Sequence, residues 1–275
     1  MIYSPSLRRA LAPALLVLAT VLAGCASTTP GGVPIDTHHV ARGQDSRVLF
    51  VVLHYTVGDT ASSLKVLTGP QVSAHYLIDD APQPVIYRLV DEDRRAWHAG
   101  DSFWQGHAML NAASIGIEIV NPGPRQTAQG RVYAPFPEAQ IDTLIVLLRD
   151  IVQRHGVRAD RIVGHSDVQP QRKQDPGPAF PWQRLAAAGL GRWPDAARVD
   201  ALRAAFELQL PDVAWFQQRL ATVGYEVDQQ GVLDAATRNV VKAFQMHFRP
   251  ARCDGEPDAE TAALLQALAE TSPAF

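Results

Sequence analysis

Residues 47–56, RVLFVVLHYT, run apolar and rich in β-branched side chains from Val48 to Leu53 and turn polar at His54. A strand of that composition is buried on both faces in the middle of a sheet, and its polar end projects beyond the sheet. A second strand follows at 114–121, SIGIEIVN, where Ile115, Ile117 and Ile119 share one face while Gly116 and Glu118 point to the other. Glu118 therefore stands opposite an all-isoleucine face. Weaker strand signals lie in AHYLID (74–79) and PVIYRLV (84–90), and RIVGH (161–165) offers a short strand ending at His165.

Between these strands, residues 135–156 carry Ile141, Leu144, Ile145, Leu148, Ile151 and Val152 at the spacing of a helix lying on a sheet, with Pro137 at its start and Gly156 at its end. Strands alternating with a long helix predict an α/β (α+β) domain over 45–190, with a mixed central sheet flanked by helices. Residues 191–210 read as a linker. From 211 to 270 the pattern becomes three short helical periods, DVAWFQQRLATVGY, LDAATRNVVKAFQMHFRP and DAETAALLQALAE, which predict a small three-helix domain without a catalytic cluster.

The amino end is set apart from this fold. Arg8 and Arg9 precede an apolar run, ALAPALLVLATVLAG, shorter than the roughly 20 residues of a membrane span. The run ends in LAGC, Leu22 to Cys25, which resembles the lipobox of bacterial lipoproteins. That resemblance implies a signal peptide over 1–24 and lipidation at Cys25. With Ala26 next, and for a Gram-negative source, it implies an outer-membrane anchor facing the periplasm. Residues 25–44, which include the breaker-rich ASTTPGGVP, read as a tether. With Cys25 lipidated, Cys253 has no intramolecular partner, so no disulfide is expected among the two cysteines. At 275 residues with a formal charge of -3, the chain has room for two domains and no electrostatic footing for nucleic acid.

The chemistry-bearing residues gather where strands end: His54, Glu118 and His165, with Lys173 and Asp175 in the Gly- and Pro-punctuated stretch GHSDVQPQRKQDPG, 164–177. Two imidazoles and a carboxylate suit a four-coordinate zinc with one position open to water. Spacing alone does not select them, because His75, His98, His107 and Asp167 are also candidates and no H-E-x-x-H helix is present.

The segments VVLHYT, SAHYLID, AWHAG, NAASIGIEIVN and GHSDVQPQRKQDPG occur in the order and rough spacing of the zinc N-acetylmuramoyl-L-alanine amidases of the amidase-2 type. These share the fold of peptidoglycan recognition proteins, and the resemblance covers about residues 45–185. FQQRLATVGYEVD and GVLDAATRNVVKAFQ resemble peptidoglycan-binding type 1 modules. The resemblance implies His54, His165 and Asp175 as ligands of one Zn2+, Glu118 as the catalytic carboxylate and Lys173 as an oxyanion partner. It also implies Tyr55, Trp97, His98 and Asn111 as substrate contacts. His75 reads as packing or as support for its neighbours, and His107 and Asp167 as residues that do not ligate.

The implied reaction is zinc-dependent hydrolysis of the amide between N-acetylmuramic acid, ordinary or 1,6-anhydro, and L-alanine, by a monomer. Rival readings are a non-catalytic peptidoglycan-binding protein, disfavoured because all three ligand positions are filled, and a zinc endopeptidase acting within the stem peptide.

Overall fold

The computed structural model describes residues 27–128 and 130–272, so the signal peptide and Cys25 lie outside the described residues. Two compact units divide the chain, up to Asp45 and from Ser46 onward. In the first, β1 (Ser27–Thr28) pairs antiparallel with β2 (Pro34–Ile35), and the residues around them are mostly exposed.

The second unit is built on a five-stranded mixed sheet. Its strands are β3 (Phe50–Tyr55), β4 (Tyr76–Ile78), β5 (Ile86–Arg88), β8 (Ser114–Ile119) and β11 (Ile162–Gly164), in the order β11-β3-β8-β4-β5. Neighbours pair in parallel except at β4–β5, the antiparallel edge. Two small hairpins stand apart, β6 (Phe103–Trp104) with β7 (His107–Ala108) and β9 (Pro124–Thr127) with β10 (Gly130–Tyr133).

The central strand is as apolar as its sequence requires: Phe50, Val51, Val52 and Leu53 are all fully buried. Their alternation feeds two cores. Val51 and Leu53 join Ile115, Ile117 and Ile119 under α2 (Glu138–His155), whose Ile141, Leu144, Leu148 and Ile151 cover that face. Gly156 ends α2 at φ 69°, the left-handed C-terminal position that glycine adopts without a Cβ penalty. Phe50 and Val52 face the other way, into a cluster with Trp104, Leu110, Val168, Phe216, Leu220, Phe244 and Leu265.

That second cluster belongs largely to the C-terminal helices α6 (Val213–Val223), α7 (Ala235–Phe248) and α8 (Ala259–Glu270). Each opens on an aspartate whose side chain accepts the third residue's N–H: Asp212 from Trp215, Asp234 from Thr237 and Asp258 from Thr261. The stretch read as a linker contains a further helix, α5 (Ala196–Leu208), capped by Asp195 and tied to α8 through the Arg198–Glu270 ion pair. Three short helices complete the unit: α1 (Thr60–Leu67), α3 (His165–Val168) and α4 (Trp182–Ala187). Among the described residues no helix is long and apolar enough to cross a membrane.

Candidate active site

Parallel strands place their carboxyl ends side by side, and the crevice beyond those ends is where open sheets bind ligands. Here β3 ends on His54 and Tyr55, β8 on Glu118 and Ile119, and β11 on Gly164, immediately before His165. The β3–β8 register sets His54 directly beside Glu118. Because Ile117 and Ile119 are committed to the α2 core, strand alternation turns Glu118 toward the opposite face, where His54 also lies.

The loop after β11 supplies the rest. One helical turn follows His165, and the chain then doubles back so that the Ser166 N–H donates to the Asp175 carbonyl at 2.8 Å. This brings Nδ1 of His54, Nδ1 of His165 and Oδ2 of Asp175 to 3.0 Å from one another. All three residues are buried, and they form a group able to hold a metal ion.

The protonation of His54 is written into a chain of hydrogen bonds behind it. Ser114 donates its hydroxyl to the Leu110 carbonyl at 2.6 Å, so its oxygen accepts from Nε2–H of His98 at 3.1 Å. Burial first, and then the neighbouring His54 and His75, hold the His98 imidazolium well below its ordinary range, leaving a neutral ring. Its Nδ1 is then an acceptor for Nε2–H of His54 at 3.1 Å. Burial, reinforced by His165 and Lys173 against the opposing pull of Asp175, brings the His54 pKa down to about 4. The outcome is a neutral His54 with its Nδ1 lone pair directed at the group. Space for this arrangement comes from Gly116, where a Cβ would lie 2.3 Å from Cγ of His98.

Two carboxylates with opposite surroundings flank the group. Burial raises Asp175, but the His165 imidazole beside it, by electrostatic attraction and a hydrogen bond, outweighs it and holds the carboxyl well below its ordinary range. Glu118 is pushed up to about 8, by burial first and by the Asp175 charge second, with Lys173 opposing. Its Oε2 is buried without a hydrogen-bond partner. A cleft of about 270 Å³ joins these residues to Tyr55, Val57, Leu67, Val72, Trp97 and Lys173.

The structure thus brings His54, His165, Asp175, Glu118 and Lys173 together, with Tyr55 and the half-exposed Trp97 on the cleft wall. His98 borders the same cleft but is 9% exposed and bonded to His54. Asn111 lies behind the site, its Oδ1 accepting the N–H groups of His98 and Ala99. His75 exchanges hydrogen bonds with Gly116, its N–H donating to the carbonyl and its Nδ1 accepting the amide. His107 and Asp167 stand outside the metal-binding group. Sequence reasoning missed Ser114 and the exposed Val57, a β-branched residue held at φ 53° on the cleft wall. The only local signal for Ser114 was a polar residue opening an apolar strand.

Residues 44–178 match the family N-acetylmuramoyl-L-alanine amidase, Amidase_2, and residues 209–265 match the peptidoglycan binding domain family PG_binding_1. The chain belongs to the N-acetylmuramoyl-L-alanine amidases and is an amide hydrolase. It is 44% identical to N-acetylmuramoyl-L-alanine amidase AmiD of Escherichia coli K12, over 93% of this chain and 96% of that one. A solved complex of E. coli AmiD with the substrate anhydro-N-acetylmuramic acid-L-Ala-D-gamma-Glu-L-Lys superposes with a TM-score of 0.82 at 43% identity, covering 90% of this chain and 98% of that one. AmpDh3 of Pseudomonas aeruginosa, in complex with anhydromuramic pentapeptide, superposes with a TM-score of 0.81 at 41% identity, covering 87% and 99% respectively.

Proposed function

We propose that this amidase is a zinc enzyme cleaving the bond between N-acetylmuramic acid and L-alanine, in peptidoglycan and in fragments ending in 1,6-anhydromuramic acid. The observation that carries the zinc reading is the triangle of His54 Nδ1, His165 Nδ1 and Asp175 Oδ2 with 3.0 Å sides. Those sides are close to the edge of about 3.3 Å in a tetrahedron of ~2.0 Å zinc–ligand bonds. Two imidazole nitrogens and one carboxylate oxygen are borderline donors that suit zinc and leave one position for chemistry. The inclusion of 1,6-anhydromuramic substrates draws on the ligands of the related AmiD and AmpDh3 structures.

When bound, zinc supplies Lewis acidity, making water ionisable near pH 7 and polarising an amide carbonyl. The chain's own residues do the rest. His54 and Asp175 offer unprotonated donor atoms, and the His98–Ser114 chain fixes the orientation of the His54 ring. Glu118, beside His54 and with one oxygen unpartnered, takes the proton of the attacking water and returns it to the leaving amine. Lys173, on the cleft wall, directs its ammonium at the oxygen that becomes negative as the carbonyl is attacked. Tyr55 and Trp97 line the cleft and would border the sugar or peptide bound there.

The testing experiment removes the metal and identifies the products. Chelation is expected to abolish release of stem peptides from purified sacculi, and added zinc to restore it. Mass spectrometry is expected to find intact stem peptides and peptide-free glycan; shortened stems still on muramic acid would establish an endopeptidase instead.

A further inference from the structure

Asp167 lies two residues after His165, is 1% exposed and is no part of the metal-binding group. Its carboxylate nevertheless takes three hydrogen bonds. One comes from the Gly164 N–H at 2.7 Å, the residue that closes β11 and precedes His165. The other two come from the C-terminal module: the Tyr225 hydroxyl at 2.6 Å and His247 Nδ1 at 2.8 Å.

Both donors are themselves locked. Tyr225 packs edge-on against Trp104 at 4.8 Å between ring centroids. His247 is sandwiched between Trp182 at 3.8 Å and Phe248 at 4.0 Å, both nearly parallel to it. Trp182 also closes on the backbone of Gly164, where a Cβ would sit 3.2 Å from its Cζ2 and 2.7 Å from Cδ of Pro176. The same module grips the loop a second time further along. Gln171 donates to the Ala236 carbonyl at 3.1 Å and accepts from Asn239 at 3.0 Å, two residues before Lys173.

We propose that the C-terminal helical module is a structural part of the metal centre: through Tyr225 and His247 on Asp167, and Asn239 and Ala236 on Gln171, it holds the segment that carries His165, Lys173 and Asp175. This rests on the zinc reading above and adds to the module a role distinct from contacting polymer. Ligand residues need support because the group binds an ion tightly only when its donor atoms are held at their mutual distances. A four-residue helix and a loop have little rigidity of their own. Helix α7, by contrast, spans 14 residues and presents Ala236, Asn239 and His247 to that segment along its length. Asp167, Tyr225 and His247 are positioning residues; none of them belongs to the metal-binding group or lines the cleft.

The test uses full-length protein and separates metal holding from polymer binding. Tyr225→Phe removes one hydroxyl, and His247→Phe keeps an aromatic ring in the stack while removing the donor. Combined, they are expected to weaken zinc binding about tenfold in competition with a chelator. Turnover of a soluble muropeptide is expected to fall at unchanged KM, and binding of the metal-free protein to sacculi to stay as in wild type. His247→Asn, which retains a donor near the Nδ1 position, should recover most of the zinc affinity. Circular dichroism verifies that each variant is folded, and the single Tyr225→Phe change, expected to weaken zinc binding severalfold, serves if the double variant is not. Wild-type zinc affinity in the folded double variant, or in Tyr225→Phe where only that one folds, would overturn the proposal, as would a loss confined to sacculus binding. Those results would leave the zinc reading standing, whereas a wild-type chain without zinc affinity would remove both.

Discussion

Glu118 is the residue whose state matters most. With its pKa pushed up to about 8, it is mostly protonated at pH 7 in the metal-free chain and cannot accept a proton. A divalent cation beside it favours the carboxylate and lowers that pKa. Zinc loading at pH 7 is therefore expected to release a proton from Glu118, measurable by calorimetry in buffers of different ionisation enthalpy. Glu118→Gln should still bind zinc but lose that proton release, and its turnover should drop by about two orders of magnitude or more. Lys173→Ala should lower turnover by about 100-fold at similar KM, as expected of a group engaged only in the transition state. A change in KM alone would make Lys173 a substrate-binding residue. Behind the site, Ser114→Ala removes the acceptor that orients His98, leaving the His54 tautomer unguided. Its zinc affinity should fall by roughly tenfold in chelator competition, and unchanged affinity would place control of that tautomer elsewhere.

At the scale of elements, legibility followed burial. Strand β3 was plain because a fully buried strand must be apolar, and β8 because its isoleucines alternate with the small Gly116 and the site residue Glu118. The α2 helix was equally plain, with its apolar stripe and its terminal Gly156. Helix α5 was read as linker because none of its residues is fully buried, so it carries little amphipathic contrast, although Asp195 marked its start. The short turn at His165–Val168 and the β9–β10 hairpin leave only weak patterns over so few residues. Among site residues, those at strand ends were readable by position, whereas His98 sits in irregular chain and Asn111 in a single 3-10 turn, Leu110–Ala112, whose destinations only tertiary packing decides. Asp167 shows the same limit. Its exclusion as a ligand agrees with the geometry, but its three hydrogen-bond donors lie 3 residues before it and 58 and 80 residues after it.

For the whole molecule, we propose from the resemblance of LAGC to a lipobox that the protein is a lipoprotein, anchored through Cys25 to the outer membrane and facing the periplasm. With the β1–β2 hairpin opened, the segment from Ala26 to Gln44 would allow tens of ångströms of reach at roughly 3.3 Å per extended residue. Cys25→Ser is expected to move the protein from the membrane fraction to the soluble periplasmic fraction, with soluble-muropeptide hydrolysis unchanged. Continued outer-membrane fractionation would remove the lipid anchor.

Strand β3 lies between two cores, with Val51 and Leu53 in one and Phe50 and Val52 in the other. Neither half of the enzyme can lose its structure without stripping one face of that strand. Heating is therefore expected to melt the catalytic and C-terminal regions together, as a single calorimetric transition rather than two. The two family matches in this chain, residues 44–178 and 209–265, would then fall within one cooperative unit.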